Sequence, residues 1–253
     1  MNKYIFSILA MSSLSTFAAD LSDFQAFDNE INVGFGLQQD QSTQPDRSGS
    51  STIGNNQVYS LEGERILNNG IYIDVLANMA FTSTPTNNQV NPVISNYGVN
   101  GKVGYVFEVA NTHLLLTPYG LLGLNNNGLQ RLNTATQAVT YNPSLNVGYF
   151  YTYGLGGRIE YRINDTILVY ADQNYMMSLD QTQYGSSSNA MQNYNSAMST
   201  LGAKFNLVDL FQLGVRAMYT TYMPQTSNSG GTGITLAQPE SSMSAMVTLG
   251  LTF

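Results

Sequence analysis

From residue 147 the chain runs Val147-Gly148-Tyr149-Phe150-Tyr151-Thr152-Tyr153-Gly154-Leu155-Gly156-Gly157-Arg158-Ile159-Glu160-Tyr161-Arg162. The residues in step with Val147 are apolar apart from Gly157, while Gly148, Phe150, Thr152, Gly154, Gly156, Arg158, Glu160 and Arg162 between them carry all the charge. A repeat of two places successive side chains on opposite faces of a strand; a helix would repeat its apolar positions at three and four.

The same repeat extends in both directions. Ile31, Val33, Phe35 and Leu37 alternate with small or polar residues, as do Ile71, Ile73, Val75, Ala77, Met79 and Phe81. Tyr97 to Phe107, Phe211 to Tyr219 and Met243 to Phe253 follow suit, and residues 57–67, 113–124, 166–177 and 197–206 carry the same bias less regularly. Ten strands result. Four connections are short (68–70, 109–112, 164–165 and 207–210), and Asn68-Asn69-Gly70 and Asn164-Asp165 are tight-turn residues. The five connections alternating with them are long and polar, at about 39–56, 82–95, 125–146, 178–196 and 223–241. An even number of antiparallel strands can close on itself and remove both sheet edges. The expected fold is all-β: an antiparallel up-and-down barrel.

Which face of the barrel is apolar separates a soluble barrel from a transmembrane one. Glu62, Glu64, Asp74, Lys102, Glu108, Arg158, Glu160, Arg162, Asp172, Lys204 and Arg216 all fall on the polar face, six acids against five bases. Near-balanced signs on one face suit a polar interior laced by ion pairs, with the apolar face against lipid. Arg65 breaks the phase and is expected at a membrane interface, where its long side chain can snorkel. Phe81, Tyr97, Phe107, Tyr161, Tyr175 and Tyr222 are candidates for aromatic girdles, in a chain without Trp.

Charged residues are only 10% of the 253, against roughly 25% in soluble proteins, and apolar residues hold at 43%. Net charge is −7 with no basic stripe, which excludes a nucleic-acid partner. With no cysteine there is no disulfide, thiolate nucleophile or cysteine metal site. Residues 1–19 have the plan of a secretory signal peptide: Lys3, an apolar run from Tyr4 to Met11, and Ala18-Ala19 before Asp20. That run is too short to span a bilayer as a helix. Residues 20–253 are then one barrel domain of charge −8, whose scattered acids near the N-terminus read as carrying little functional information.

The ending Met243-Ser244-Ala245-Met246-Val247-Thr248-Leu249-Gly250-Leu251-Thr252-Phe253 resembles the C-terminal strand of bacterial outer-membrane β-barrel proteins. The resemblance implies an outer-membrane location, short periplasmic turns, long extracellular loops, and recognition of Phe253 by the barrel-assembly machinery. Leu116-Thr117-Pro118-Tyr119-Gly120-Leu121-Leu122-Gly123 resembles a strand of small barrels of the outer-membrane-protein-A and opacity-like type. Those usually have eight strands, so eight is the alternative count, and it would fail in 178–206.

Catalysis finds little support. The ten-stranded omptin proteases place a histidine and acids at the outer rim, whereas His113 begins a strand at the periplasmic end and reads as an interfacial polar residue. A general base must reach its nucleophile, and no such pair is apparent. Glu62 and Glu64 share one strand face, but four cations on the same interior face make neutralising pairs the simpler reading. No cofactor and no metal site is expected. Gly154, Gly156 and Gly157 lie inside a strand, where they relieve crowding; Gly154 and Gly156 with eight further inward glycines leave an unusually thin inner wall.

Three functions follow as expectations: a structural or surface-interaction barrel with a lumen largely closed by ion pairs; a narrow porin for small hydrophilic solutes or ions; and, remotely, an outer-membrane enzyme such as an omptin-like protease. Large aqueous channels belong to barrels of about sixteen strands, and at ten the lumen is nearly filled by its own side chains. The implied partners are outer-membrane lipid and lipopolysaccharide, the export and assembly machinery, and an extracellular ligand of unknown kind, for a monomer.

Overall fold

The computed structural model describes residues 21–43, 50–86, 89–109, 112–127, 130–133, 138–141, 150–178, 194–208, 210–224 and 241–253. The leader expected at residues 1–19 lies outside them. A short helix, α1 (Ser22–Asp28), precedes strands β1 (Glu30–Thr43), β2 (Ser50–Ile66), β3 (Ile71–Thr86), β4 (Gln89–Tyr105), β5 (Phe107–Glu108) and β6 (Leu114–Asn127). Next come β7 (Gln130–Asn133), β8 (Ala138–Tyr141), β9 (Phe150–Arg162), β10 (Ile167–Ser178), β11 (Tyr194–Val208), β12 (Phe211–Pro224) and β13 (Ser241–Thr252). Each strand of the barrel pairs antiparallel with its neighbours, β1 with β13, and β4 with β6 closes the sheet. Because β5 continues the β4 pairing on β6 beyond Val106, the two form one barrel strand, and the barrel has ten. The expected count holds.

The alternation read from the sequence is the alternation of burial. On β13, Ser242, Ser244, Met246 and Thr248 face inward while Met243, Val247, Leu249 and Leu251 are exposed. Leu155 and Leu122 are 73% and 71% exposed, whereas Glu160 and Asp74 are 0% exposed. Apolar side chains therefore coat the outside of a barrel whose inside is polar, the reverse of a soluble barrel. Arg65 lies on the outside, its guanidinium 5.8 Å from the ring of Phe253. Tyr161 and Tyr175 are exposed, and Phe81 meets the outward Tyr59 edge-to-face while Phe107 lies tilted against the outward Tyr105.

Tyr222 is a correction: it lines the lumen and takes no part in an exterior girdle. The expected long connections are also corrected, since β1 continues to Thr43, β2 starts at Ser50, and β3 and β4 pair out to Thr86 and Gln89. Backbone ladders need no apolar side chains, so strands outlast the alternation that marks them. Part of the expected loop 125–146 is likewise the hairpin β7–β8.

The short turns form as their residues predict. Gly70 adopts φ 84°, a conformation closed to most residues with a Cβ, and its amide donates to the Leu67 carbonyl at 2.8 Å. At the β9–β10 turn the Asn164 side-chain oxygen accepts from the amides of Thr166 and Ile167, both at 2.9 Å.

Candidate functional site

Helix α1 turns into the short-turn mouth and caps it from within. Phe24 and Phe27 pack with Ile66, Tyr72, Val106, Leu115 and Leu168 in an apolar cluster closed by Leu21 and Tyr170. Its backbone is held as well. The Phe27 carbonyl accepts from Gln212 Nε2 at 3.0 Å and Lys204 Nζ at 3.4 Å, and Gln25 Nε2 donates to the Ile66 carbonyl at 3.0 Å. Behind α1 the Phe253 amide donates to the Asn29 carbonyl at 3.0 Å, which ties the two ends of the barrel domain together.

Directly above this cluster lies the charge network. Arg158 reaches Glu160 at 2.5 Å, Glu64 at 2.7 Å and Asp28 at 3.6 Å, and its guanidinium stacks on Tyr170 at 4.3 Å. Lys204 meets Asp28 at 2.7 Å, Glu30 at 2.8 Å and Glu64 at 2.9 Å. Arg216 bridges Glu62 at 2.7 Å and donates to Ser60 at 3.1 Å; Lys102 contacts Asp74 at 2.9 Å and Asp172 at 3.2 Å. Tyr119 adds a hydroxyl that donates to Asp172 at 2.5 Å. A buried charge is costly unless paired and hydrogen-bonded, and these cations each serve two or more partners.

Of the eleven residues read as a lumen network, nine stand in it. Arg162 does not. It sits at the short-turn mouth with Asp23, with Asp165 at 3.1 Å and with His113 Nδ1 at 3.3 Å. Glu108 is half-buried on β5 near that mouth, outside the ion pairs just named. Conversely, Asp28 and Glu30 were read as uninformative terminal acids, yet they are 0% and 2% exposed at the centre of the network. Among the described residues the pairs join seven carboxylates (Asp28, Glu30, Glu62, Glu64, Asp74, Glu160, Asp172) to four cations (Lys102, Arg158, Lys204, Arg216). Asp28, Glu64 and Glu160 bring carboxylate oxygens within 4.8 Å of one another, a set that would suit a hard cation. Arg158 contacts all three and Lys204 contacts two of them, so that position is already filled by positive charge.

The inward glycines do not thin the wall as expected. A Cβ on Gly156 would collide with the ring of Tyr119, and one on Gly202 with the ring of Tyr170. At these two positions the absent side chain leaves a seat for an aromatic ring from the neighbouring strand, while Gly98, Gly214 and Gly250 make room for Asn125, Thr248 and Glu30.

Toward the long-loop end the lumen changes. A cavity of about 140 Å³ is walled by Ser60, Asn78, Asn100, Asn125, Thr152, Asn174, Ser196 and Ser244 together with Met176, Met198, Met218 and Met246. Asn125 spans part of it, donating to Asn100 at 3.1 Å and Thr152 at 3.0 Å. Below it, among the charges, remains a void of about 30 Å³, room for no more than about two or three waters. Leu76, Met198, Met218, Lys102 and Arg216 line both spaces and stand between them. Each of these methionines falls on the inward phase of its strand, which alternation alone does not distinguish from any other lumenal position.

No protein-family model and no curated protein matches the chain. Among solved structures it is similar to the β domain of the Bordetella autotransporter BrkA, with 12% identity, 89% of this chain and 100% of that one covered, and a TM-score of 0.47. It is also similar to the COG4313 outer-membrane channel of Pseudomonas putida F1, with 11% identity, 88% and 96% covered, and a TM-score of 0.45. For the translocator domain of the autotransporter NalP from Neisseria meningitidis, the values are 12%, 98% and 96%, and 0.42. The chain is an all-β, closed ten-stranded antiparallel barrel, and its structural neighbours are bacterial outer-membrane barrels.

Proposed function

We propose that the protein is an integral outer-membrane β-barrel, exported by the leader at residues 1–19, with a structural or surface-interaction role and a lumen closed at its short-turn half. The observation that carries this reading is the void of only about 30 Å³ left among the paired charges. A hydrated solute has no room there unless the ion pairs part, and α1 closes the mouth beneath them. The exterior supports the membrane part: Leu37, Leu122, Tyr151, Leu155, Leu201 and Leu249 are all more than half exposed, on strands around the barrel. Contiguous apolar surface on that scale belongs against lipid. Outer-membrane lipid and lipopolysaccharide are then its surroundings. The exposure of Phe253 next to β13 supports its recognition by the assembly machinery.

The protein is read as non-enzymatic and monomeric. His113, its one histidine, is engaged with Arg162 at the mouth and stands far along the barrel from the polar cavity. Planar-bilayer recording tests the closed lumen: the purified protein should insert without discrete conductance steps. Stable steps from the intact chain would overturn it in favour of a narrow porin. Heat-modifiable migration on a detergent gel tests the barrel, and unchanged mobility after boiling would count against it.

A further inference from the structure

We propose that the upper cavity is a binding site for one small, neutral, hydroxylated ring, a monosaccharide or a cyclitol. Its wall carries an arc of polar side chains and an apolar patch. Asn78 on β3, Asn100 on β4, Asn125 on β6, Thr152 on β9 and Asn174 on β10 line it from five neighbouring strands of the barrel. The patch comes from Val58 on β2 and Met246 on β13, which pack with Ala80, and from Met218 on β12 packed against them. Glycines on the adjacent strands make room for both. A Cβ on Gly98 would collide with Asn125, one on Gly123 with Asn100 and Thr152, and one on Gly36 with Met246. These side chains lie along bare stretches of the wall, and about 140 Å³ of the lumen stays open between them.

The amides keep hydrogen-bonding capacity. Asn100 Nδ2 donates to Asn125 Oδ1 at 3.4 Å, and Asn125 Nδ2 donates back to Asn100 Oδ1 at 3.1 Å. An amide offers two N–H donors and two carbonyl lone pairs, so Asn100 keeps one donor and each carbonyl keeps a lone pair. The Tyr119 hydroxyl gives its proton to Asp172 and accepts from Asn174, whose Oδ1 has no partner among the described residues; nor has Asn78 Oδ1. A ligand hydroxyl donates and accepts at once, which suits such a mixed wall.

Charge and size narrow the ligand further. Among the described residues the charged ones lining the cavity are Lys102 and Arg216, so a cation would meet like charge there and no lining carboxylate. An anion fares no better. Both bases are already matched by Asp74, Asp172 and Glu62, and the ion pairs as a whole join seven carboxylates to four cations. An uncharged solute meets neither objection. A cavity of about 150 Å³ admits one six-membered ring. Hydroxylated, such a ring turns its O–H rim to the amides and its C–H faces to Val58, Met218 and Met246. The inference rests on the barrel interior alone and holds whether or not the lumen conducts.

The test uses the full barrel labelled with [methyl-13C]Met, in an amine-oxide detergent that carries no sugar headgroup. D-Glucose, D-galactose and myo-inositol are the probes, with glucuronate and glucosamine as charged counterparts. At least one neutral probe should shift the Met198 and Met218 methyl signals saturably, while those of the outward Met79 and Met243 stay fixed. The charged counterparts should bind at least roughly tenfold more weakly. Asn78→Leu should lower affinity about tenfold, because a ligand hydroxyl loses its partner. Ser244→Phe should abolish binding by filling the cavity, and heat-modifiable migration confirms that both variants fold. The site would be overturned by the absence of saturable shifts with all three neutral probes, or by shifts shared with Met79 and Met243. Charged counterparts that bind as tightly as the neutral probes, or affinity unchanged in both variants, would overturn it equally.

Discussion

Below Leu76, Met198 and Met218 the lumen is packed with α1, aromatic rings and paired charges around a void of about 30 Å³; above them it is a cavity of about 140 Å³ walled by amides, hydroxyls and thioethers. One set of strands builds both. Along β2 the inward residues run Glu64, Glu62, Ser60 and Val58 from the mouth upward, and along β10 they run Leu168, Tyr170, Asp172, Asn174 and Met176. The barrel wall is uniform, and the identity of every second residue sets what each level of the lumen can do. The lower half should therefore be brittle and the upper half tolerant.

Breaking the lower half at its centre should cost most. Arg158→Met leaves Glu64, Glu160 and Asp28 without their shared guanidinium, and removing one member of a buried ionic set costs about 3–5 kcal/mol. A lowered denaturant midpoint in detergent would show it. Phe27→Ala empties a wholly buried position in the plug cluster at a cost of about 3 kcal/mol or more, and should raise the proteolytic sensitivity of α1 in step. Gly156→Leu, which unseats Tyr119, should cost about 1–3 kcal/mol as overpacking. In the upper half Asn125→Ala removes three side-chain hydrogen bonds next to open space, where water can replace it, and should cost about 1 kcal/mol. A loss at Asn125 as large as that at Arg158 would erase the distinction between the halves.

The wall was legible in the sequence and the plug was not. Period two alone yields the ten strands, and the inward phase of Glu62, Glu64, Asp74, Lys102, Arg158, Glu160, Asp172, Lys204 and Arg216 follows from it. Helix α1 is seven residues long, too short for an apolar repeat to register, and its side chains gain meaning only from the barrel they enter. For that reason Asp28 and Glu30 read as stray terminal acids. Arg162 had the correct phase but the wrong height, since phase says which face a residue occupies and not how far along the barrel its partners lie. Tyr222 failed the other way: it was placed by nearness to a strand end, although the alternation with Tyr219 assigns it inward. The seats at Gly156 and Gly202 depend on which strand lies alongside, which only the register supplies.

The division of the lumen can be tested on a single strand, because the chain has no cysteine to remove beforehand. Ser244 lines the upper cavity and Thr248 the lower void, on the same face of β13 and roughly 13 Å apart along it. In the barrel embedded in lipid, Ser244→Cys should react readily with a small charged thiol reagent added from the long-loop side, while Thr248→Cys stays protected until the protein is unfolded. Equal labelling rates at the two positions would mean that solvent passes the level of Met198 and Met218, and would contradict the closed lower half.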